Sequence, residues 1–294
     1  MAKARALDRR RRSIRSIRKI TRTMELISRA QFKRAMDRAV AATAYTRRIT
    51  ALVGHLAKIA LELRHPLVEP RPQTRHALLL VLTANRGLCG GYNAGVMRLA
   101  YGRWEALRQG AAQTRLEVSG KRGISAFRFR GIPPDQRFTH FQDKPVYGEV
   151  ELLANRYLED YGRGELDRLE IVYTKFENLS RQRPVVETLL PLTPLAGPEE
   201  EEEEVEPGPR FEFLPSAQSI LDEVLPASFK ARLWKCFLDA AVSEQIARML
   251  AMKNATDNAD AMIDHLTITY NRARQGQITS ELLEVIGGAN ALEQ

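Results

Sequence analysis

Apolar residues near the start of the chain recur at steps of three and four, which is the period of one face of an α-helix. No proline interrupts residues 2–63, and prolines follow at 66, 70 and 72. The stripe consists of Ile14, Ile17, Ile20, Met24 and Ile27, the small residues Ala35, Ala39 and Ala42, and then Ile49, Leu52, Leu56, Ile59 and Leu63. A helix of about 60 residues would be about 90 Å long, whereas an average helix has only about 11–12 residues.

The other end of the chain carries a second, stricter pattern. After Pro226, a residue that suits the first turn of a helix, apolar and small residues alternate at steps of four and three. These residues are Leu238, Val242, Gln245, Met249, Met252, Thr256, Ala259, Ile263, Leu266, Tyr270 and Ala273. Such a seam indicates a left-handed supercoil with a partner helix. We expect the first helix to bury its stripe against this seam and to run antiparallel to it, because one helix leads into the middle of the chain and the other leads out.

The middle of the chain alternates between short apolar runs and amphipathic stretches. We predict strands at residues 76–83, 116–119, 169–174 and 185–192, with helices at about 93–109 and 146–161. This alternation is typical of a partly parallel sheet covered by helices. The predicted fold class is therefore α/β: a long antiparallel coiled coil of N- and C-terminal helices plus a small Rossmann-like α/β domain.

These patterns divide the chain into four segments. They are an N-terminal coiled-coil helix (1–65), a central α/β domain (73–195), an acidic linker (196–210), and a final segment (211–294). In the final segment, a short helix near 216–225 precedes the C-terminal coiled-coil helix. Residues 199–204 are six consecutive glutamates and Glu206 follows, so the linker is interpreted as a solvated segment.

Charge is concentrated at one end of the chain. The net charge is +9, yet residues 1–50 hold sixteen Lys or Arg against Asp8, Glu25 and Asp37. A basic patch of this kind suits phosphates, anionic lipids or an acidic protein surface, and charge alone does not choose among them. Because there is no apolar block long enough for a membrane span or a secretory signal, we expect a cytoplasmic protein.

Candidate chemistry is sparse. The turn at 86–93 (RGLCGGYN) lies between a predicted strand and helix, where backbone N–H groups can hold an anion. It lacks the Walker Lys-Ser/Thr pair and the dinucleotide spacing, so a tight packing turn is the favoured interpretation. The five histidines and two cysteines have no metal-ligand or catalytic spacing, and Asp257, Asp260 and Asp264 are interpreted as a solvated helix face. We predict no catalytic, cofactor-binding or metal-binding residues.

The residues alone leave two functional classes open. A basic coiled-coil protein associated with nucleic acid would use the arginines on phosphates, but it does not require an α/β domain, and only Phe32 and Tyr45 are available for base stacking. A small-molecule enzyme built on the α/β domain would not explain two very long helices.

Three segments resemble the ATP synthase gamma-subunit family. Residues 16–28 (SIRKITRTMELIS) are similar to its N-terminal signature, and residues 83–93 (TANRGLCGGYN) to its central turn. The most specific similarity is C-terminal, in SEQIARM (243–249), AMKNATDNA (251–259), YNRARQ (270–275) and ITSEL (278–282). The chain departs from the family pattern at Asn85, at Gly276 and in the glutamate run near residue 200.

The resemblance implies a rotor shaft with no cofactor. It implies contacts with the alpha and beta subunits, the epsilon subunit and the ring of c subunits, no specific nucleic acid, and membrane contact only through the complex. It implies a peripheral location on the cytoplasmic face of the bacterial inner membrane. The implied contact residues are Arg18, Lys19, Arg22 and Met24 for acidic lever loops of beta, Arg274, Gln275 and Thr279 for catch loops, and Val285, Ile286 and Leu292 for a bearing.

Overall fold

A computed structural model describes residues 2–59, 65–69, 71, 73–141, 144–192 and 217–292. The acidic run at 199–206 lies outside the described residues. Residue contacts divide the chain into two compact units. We call Met1–Arg29 with Arg248–Gln294 the helical unit, and Ala30–Ala247 the α/β unit. The four-segment division drawn from the sequence stays a prediction.

The elements follow one another in a simple order. They are α1 (Ala2–Ile59), β1 (His76–Leu82), α2 (Tyr92–Gly110), β2 (Gln113–Ser119), α3 (Lys121–Phe129), β3 (Gln136–Phe138), α4 (Tyr147–Gly162), β4 (Arg168–Phe176), β5 (Gln182–Leu190) and α5 (Ala217–Leu292). The predicted helices and strands of the middle region are confirmed to within a few residues. Helix α3 and strand β3 were missed, because nine and three residues are too few to set a period.

The α/β unit is built on one sheet with the strand order β3-β2-β1-β4-β5. The first four strands are parallel, and β5 is antiparallel to β4. Strand β1 lies in the middle, which explains its unbroken apolar sequence. Successive side chains point to opposite faces, so Leu78 and Leu80 join one buried cluster while Leu79 and Val81 join the other. The mixed α/β fold class is confirmed.

Helix α5 is a single helix that runs through Pro226, which corrects the expectation of a short helix followed by a separate one. Proline inside a helix costs about 3 kcal/mol or more because one backbone hydrogen bond is lost. Leu221, Leu225 and Phe229 are buried around it, and fully burying each such side chain contributes about 1.5–3 kcal/mol. Their packing offsets the cost of the proline.

The middle of α1 packs on α5 within the α/β unit. Ala35 and Ala39 form a cluster with Leu238, Val242 and Ile246, and all five side chains are buried. The small alanines allow the two helices to approach closely. This part of the predicted coiled coil follows the sequence pattern on both helices.

In the helical unit, α1 and α5 run antiparallel, as expected. Thr256 donates its hydroxyl hydrogen to the Thr21 oxygen at 2.8 Å, and the Arg11 guanidinium lies 4.8 Å from the Tyr270 ring centre. The seam predicted on α5 is confirmed, because each of its positions is buried or partly buried.

The buried face of α1 in this unit differs from the predicted one. Ile17, Ile20 and Ile27 are 45%, 58% and 51% exposed, while Thr21 and Ser28 are buried. At 100° per residue, the buried row lies about a quarter turn from the isoleucine row. The expectation that the stripe packs on α5 is therefore wrong for Ile17, Ile20 and Ile27, which point outward, while the hydroxyl pair of Thr21 and Thr256 occupies the seam.

Candidate partner-contact surfaces

The usual ligand crevice of a Rossmann-like sheet lies beyond the carboxyl ends of its parallel strands. In this protein α5 covers that edge. The Tyr92 hydroxyl donates to the Ala240 carbonyl oxygen at 3.2 Å, and the Ser243 hydroxyl donates to the Thr174 carbonyl oxygen at 3.2 Å. Ala247 packs on the turn that follows β1. A nucleotide at this edge would have to displace the helix.

The glycine-rich turn after β1 is held by its own side chains. Asn93 accepts a hydrogen bond from the Ala84 amide at 2.9 Å, and its side-chain amide donates to the Cys89 sulfur at 3.1 Å. Asn85 donates to the Thr139 carbonyl at 3.1 Å and accepts from the Lys121 amide at 3.0 Å. These bonds support the interpretation of residues 86–93 as a packing turn.

A buried carboxylate, Glu117 on β2, pairs with two groups on α4. The Tyr157 hydroxyl donates to it at 2.6 Å and the Arg156 guanidinium at 2.5 Å. Burial raises the pKa of Glu117, while these two partners act in the opposite direction. The three side chains attach α4 to the sheet, so this perturbed pKa has a structural cause.

A second buried carboxylate, Glu170 on β4, is paired in the same way. Its side chain forms ion pairs with Arg103 of α2 and with Arg168. It therefore attaches α2 to the sheet.

Burial raises the pKa of the Cys236 thiol, which disfavours the reactive thiolate. Among the described residues, no group of three or more His, Cys, Asp or Glu side chains is placed to hold a metal ion. In the same part of the chain, no helix is long and apolar enough to cross a membrane.

The predicted lever-loop residues lie on α1 in the helical unit, and two of them are engaged in ion pairs. Arg18 pairs with Asp260 of α5, and Arg22 pairs with Glu25 at 2.9 Å. Both arginine side chains remain at least half exposed. Lys19 is exposed and Met24 is partly buried. This surface is basic, with an apolar edge.

The predicted catch-loop residues lie on α5. Arg274, Gln275 and Thr279 are all exposed, and the Thr279 hydroxyl donates to the Gln275 carbonyl oxygen at 3.0 Å. Arg274 follows Asp260, the partner of Arg18, by fourteen positions, or roughly 21 Å of helix. The two predicted contact sets therefore form separate levels along the helical unit.

The predicted bearing residues follow on the same helix. Val285 and Ile286 are 69% and 54% exposed. Leu292 is the last residue of α5, and its side chain lies outside the described residues. The described end of α5 thus presents apolar side chains that no other described element covers.

Sequence reasoning missed the exposed row Ile17, Ile20 and Ile27 as a surface. A signal for it was present. Stepping back from Ala35 by threes and fours reaches Ser28 and Thr21, so the alanine row of α1 points to the polar seam and away from the isoleucines.

Comparisons with known proteins agree with the motif similarities. The family model described as ATP synthase matches residues 3–292. The ATP synthase gamma chain of Rhodopirellula baltica is 55% identical over 298 residues, with all of both chains covered. The gamma chain of Pelotomaculum thermopropionicum is 38% identical over 295 residues, again with all of both covered.

Solved structures support the fold. A chain of the Euglena gracilis mitochondrial ATP synthase in rotational state 3 matches with a TM-score of 0.64 and 17% identity, covering 99% of this chain and 95% of that one. A rotor chain of the same assembly in rotational state 1 gives a TM-score of 0.60 and 18% identity, covering 94% and 99%.

Proposed function

The chain belongs to the ATP synthase gamma-chain family, and on that premise we propose that it is the central rotor shaft of a rotary ATP synthase. The shaft stands inside a hexamer of alternating alpha and beta subunits. Its rotation couples ion translocation through the membrane sector to ATP synthesis or hydrolysis in the hexamer. The main observation in support of this proposal is the exposed isoleucine row of the helical unit, Ile17, Ile20 and Ile27. Neighbouring exposed apolar side chains of this kind are typical of a surface that another protein covers.

The enclosing surface also has to match the charges of the shaft. Lys19 is exposed beside the isoleucine row, and Arg18 and Arg22 keep half or more of their side chains accessible. Acidic lever loops of the beta subunits suit this mixture of basic and apolar groups. Their carboxylates would compete with Asp260 and Glu25 for the two arginines as the shaft turns.

Higher on the shaft, Arg274, Gln275 and Thr279 would contact catch loops of the hexamer. Beyond them, Val285, Ile286 and Leu292 would turn in an apolar bearing. The α/β unit would hold the epsilon subunit and the ring of c subunits. The chain would then be peripheral on the cytoplasmic face of the bacterial inner membrane.

Catalysis would remain with the hexamer. A single shaft has different side chains around its circumference, so it meets three catalytic interfaces in three different ways at any moment. Each interface is thereby biased toward a different nucleotide affinity, and rotation exchanges those states. The chain itself is non-catalytic in this proposal, which the covering of the sheet crevice by α5 supports.

Co-purification of the tagged chain from its native host tests the assignment. We expect alpha and beta subunits in the eluate together with ATPase activity. Recovery of nucleic acid, or of the chain alone without ATPase activity, would contradict the proposal.

The contact residues are tested by the double variant Arg274→Ala with Gln275→Ala. We expect it to assemble and to lower coupled turnover severalfold, since two exposed contacts to the hexamer are lost. The matched control is Asn271→Ala with Arg272→Ala, two exposed residues of the same helix that are assigned no contact. Normal turnover of the first variant after assembly would remove the catch-loop assignment.

A further inference from the structure

A groove lies between the first turns of α1 and the later part of α5, within the helical unit. Its volume is about 520 Å³, which falls in the range of about 300–1,000 Å³ typical of binding clefts. The residues that matter for its chemistry are Arg5, Arg9, Arg12 and Arg274, together with Asp8 and Tyr270. Three of the four arginines belong to α1 and were not assigned any contact from the sequence.

The groove is strongly positive. Asp8, the one carboxylate among the described residues that line it, already pairs with Arg11 at 2.7 Å and with Arg12 at 2.8 Å. The guanidinium groups of Arg9 and Arg274 make no ion pair or hydrogen bond with another described residue. Two guanidinium groups therefore have their donors available, in a groove where positive charges outnumber negative ones by three.

The walls of the groove are held in place. Arg11 lies over the Tyr270 ring, and its pairing with Asp8 ties that carboxylate to the α1–α5 contact. The pKa of Asp8 is lowered because Arg11 donates a hydrogen bond to it, so the carboxylate stays ionised. The organising groups are thus separate from the groups that remain available to a ligand.

The lining also tells which kind of anion fits. Guanidinium groups bind carboxylates and phosphates in a planar, two-point geometry. Ala4 and Ile278 add apolar surface to the same groove. A free phosphate would leave this apolar surface uncovered, whereas a peptide segment covers it while presenting carboxylates.

We propose that this arginine groove receives an acidic loop of the subunits that enclose the helical unit, with carboxylates on Arg9 and Arg12 as well as on Arg274. The inference rests on the proposed function and adds to it a composite site on both helices. The occupant is defined by its chemistry: an extended protein segment with at least two acidic side chains near an apolar one.

Binding of the full-length chain to the alpha-beta hexamer tests the site. The double variant Arg9→Gln with Arg12→Gln should raise the dissociation constant about tenfold at low salt, and the difference should shrink as salt screens the charges. The matched control is Arg10→Gln with Arg15→Gln. It removes the same charge from exposed positions of the same helix that do not line the groove, and should stay within about twofold of the wild type.

A second measurement identifies the occupant. Arg9→Lys keeps the charge and supplies an amine, which a carbodiimide joins directly to a contacting carboxylate. We expect the introduced lysine to cross-link to an Asp or Glu of an alpha or beta subunit in the assembled complex, and Arg10→Lys to give no such product.

These measurements separate a failure of the groove proposal from a failure of the shaft proposal. If the wild-type chain binds the hexamer but the two double variants behave alike, the groove proposal is overturned and the shaft proposal stands. If the wild-type chain does not bind the hexamer at all, the shaft proposal fails and takes the groove with it. A third outcome is saturable binding of inorganic pyrophosphate to the full-length chain that is lost in the double variant Arg9→Gln with Arg12→Gln, together with no cross-link to a carboxylate. This outcome would contradict a protein segment as the occupant and would assign the groove to a small anion.

Discussion

The two units differ in how completely they bury their large apolar side chains. In the α/β unit, Leu78, Leu79 and Leu80 are fully buried, and the carboxylates beneath the helices are paired. In the helical unit, Thr21 and Ser28 lie in the seam of α1 while isoleucines face outward. A unit that hides its apolar residues is stabilised by its own core, whereas one that displays them gains stability when another protein covers them.

The largest effect is expected where the α/β unit is packed most tightly. Gly120 has φ = 99°, and a Cβ added there would lie 2.1 Å from the Thr83 carbonyl oxygen. Gly120→Ala should lower the free energy of unfolding by about 3 kcal/mol, because backbone strain and a backbone clash combine. Denaturant unfolding followed by the fluorescence of Trp104 and Trp234 measures this, since both tryptophans lie in the α/β unit.

The control for this prediction is Gly102→Ala. Gly102 is exposed inside α2, and nothing lies within 4 Å of an added Cβ. This change should be neutral or should stabilise by up to about 1 kcal/mol. Equal effects of the two substitutions would refute the close approach at Gly120.

A smaller effect should follow pH through Glu117. Its pKa in the folded chain is raised above the ordinary value of 4.5 because burial disfavours the charged form. The folded state therefore holds the proton more tightly than the unfolded state, and stability falls as pH rises from the ordinary value through the folded pKa. The free energy of unfolding of the wild type, minus that of Glu117→Gln, should decrease over that window. A difference that rose with pH would reverse the sign of the shift.

The smallest effect on stability is expected on the outer row of the helical unit. Ile20→Ser removes an exposed side chain, and serine and isoleucine have similar helix propensities. The free energy of unfolding, measured by thermal unfolding followed by circular dichroism, should therefore change by less than about 0.5 kcal/mol. Leu266→Ala, which truncates a buried seam residue, should cost about 2 kcal/mol. If Ile20→Ser cost as much as Leu266→Ala, the isoleucine row would belong to the seam after all.

The same contrast explains what the sequence could predict. Strand β1 and the seam of α5 were predictable because their apolar residues are buried within the chain. The seam of α1 was not, because Ile17 and Ile20 have helical spacing too, and spacing alone does not say whether α5 or another protein covers a row. The sequence predicts a helix boundary at Pro226, and the prediction is wrong because the packing of Leu225 and Phe229, which lets the helix continue, is a tertiary effect.

The candidate site divides in a similar way. Exposed residues such as Arg274 and Val285 were predicted as contacts only from the family resemblance, since nothing in their local sequence pattern indicates a contact. The arginine groove needed two helices to be brought together, so Arg9 carried no signal of its own in the sequence.

Hydrogen exchange shows whether the helical unit is enclosed, when the full-length chain alone is compared with the chain assembled with alpha and beta subunits. We expect residues 11–28 of α1 to gain at least about a hundredfold protection on assembly, while β1 and β4 of the α/β unit, already protected by their own core, change little. Unchanged exchange in residues 11–28, or a gain confined to the α/β unit, would contradict the claim that the helical unit is the enclosed shaft.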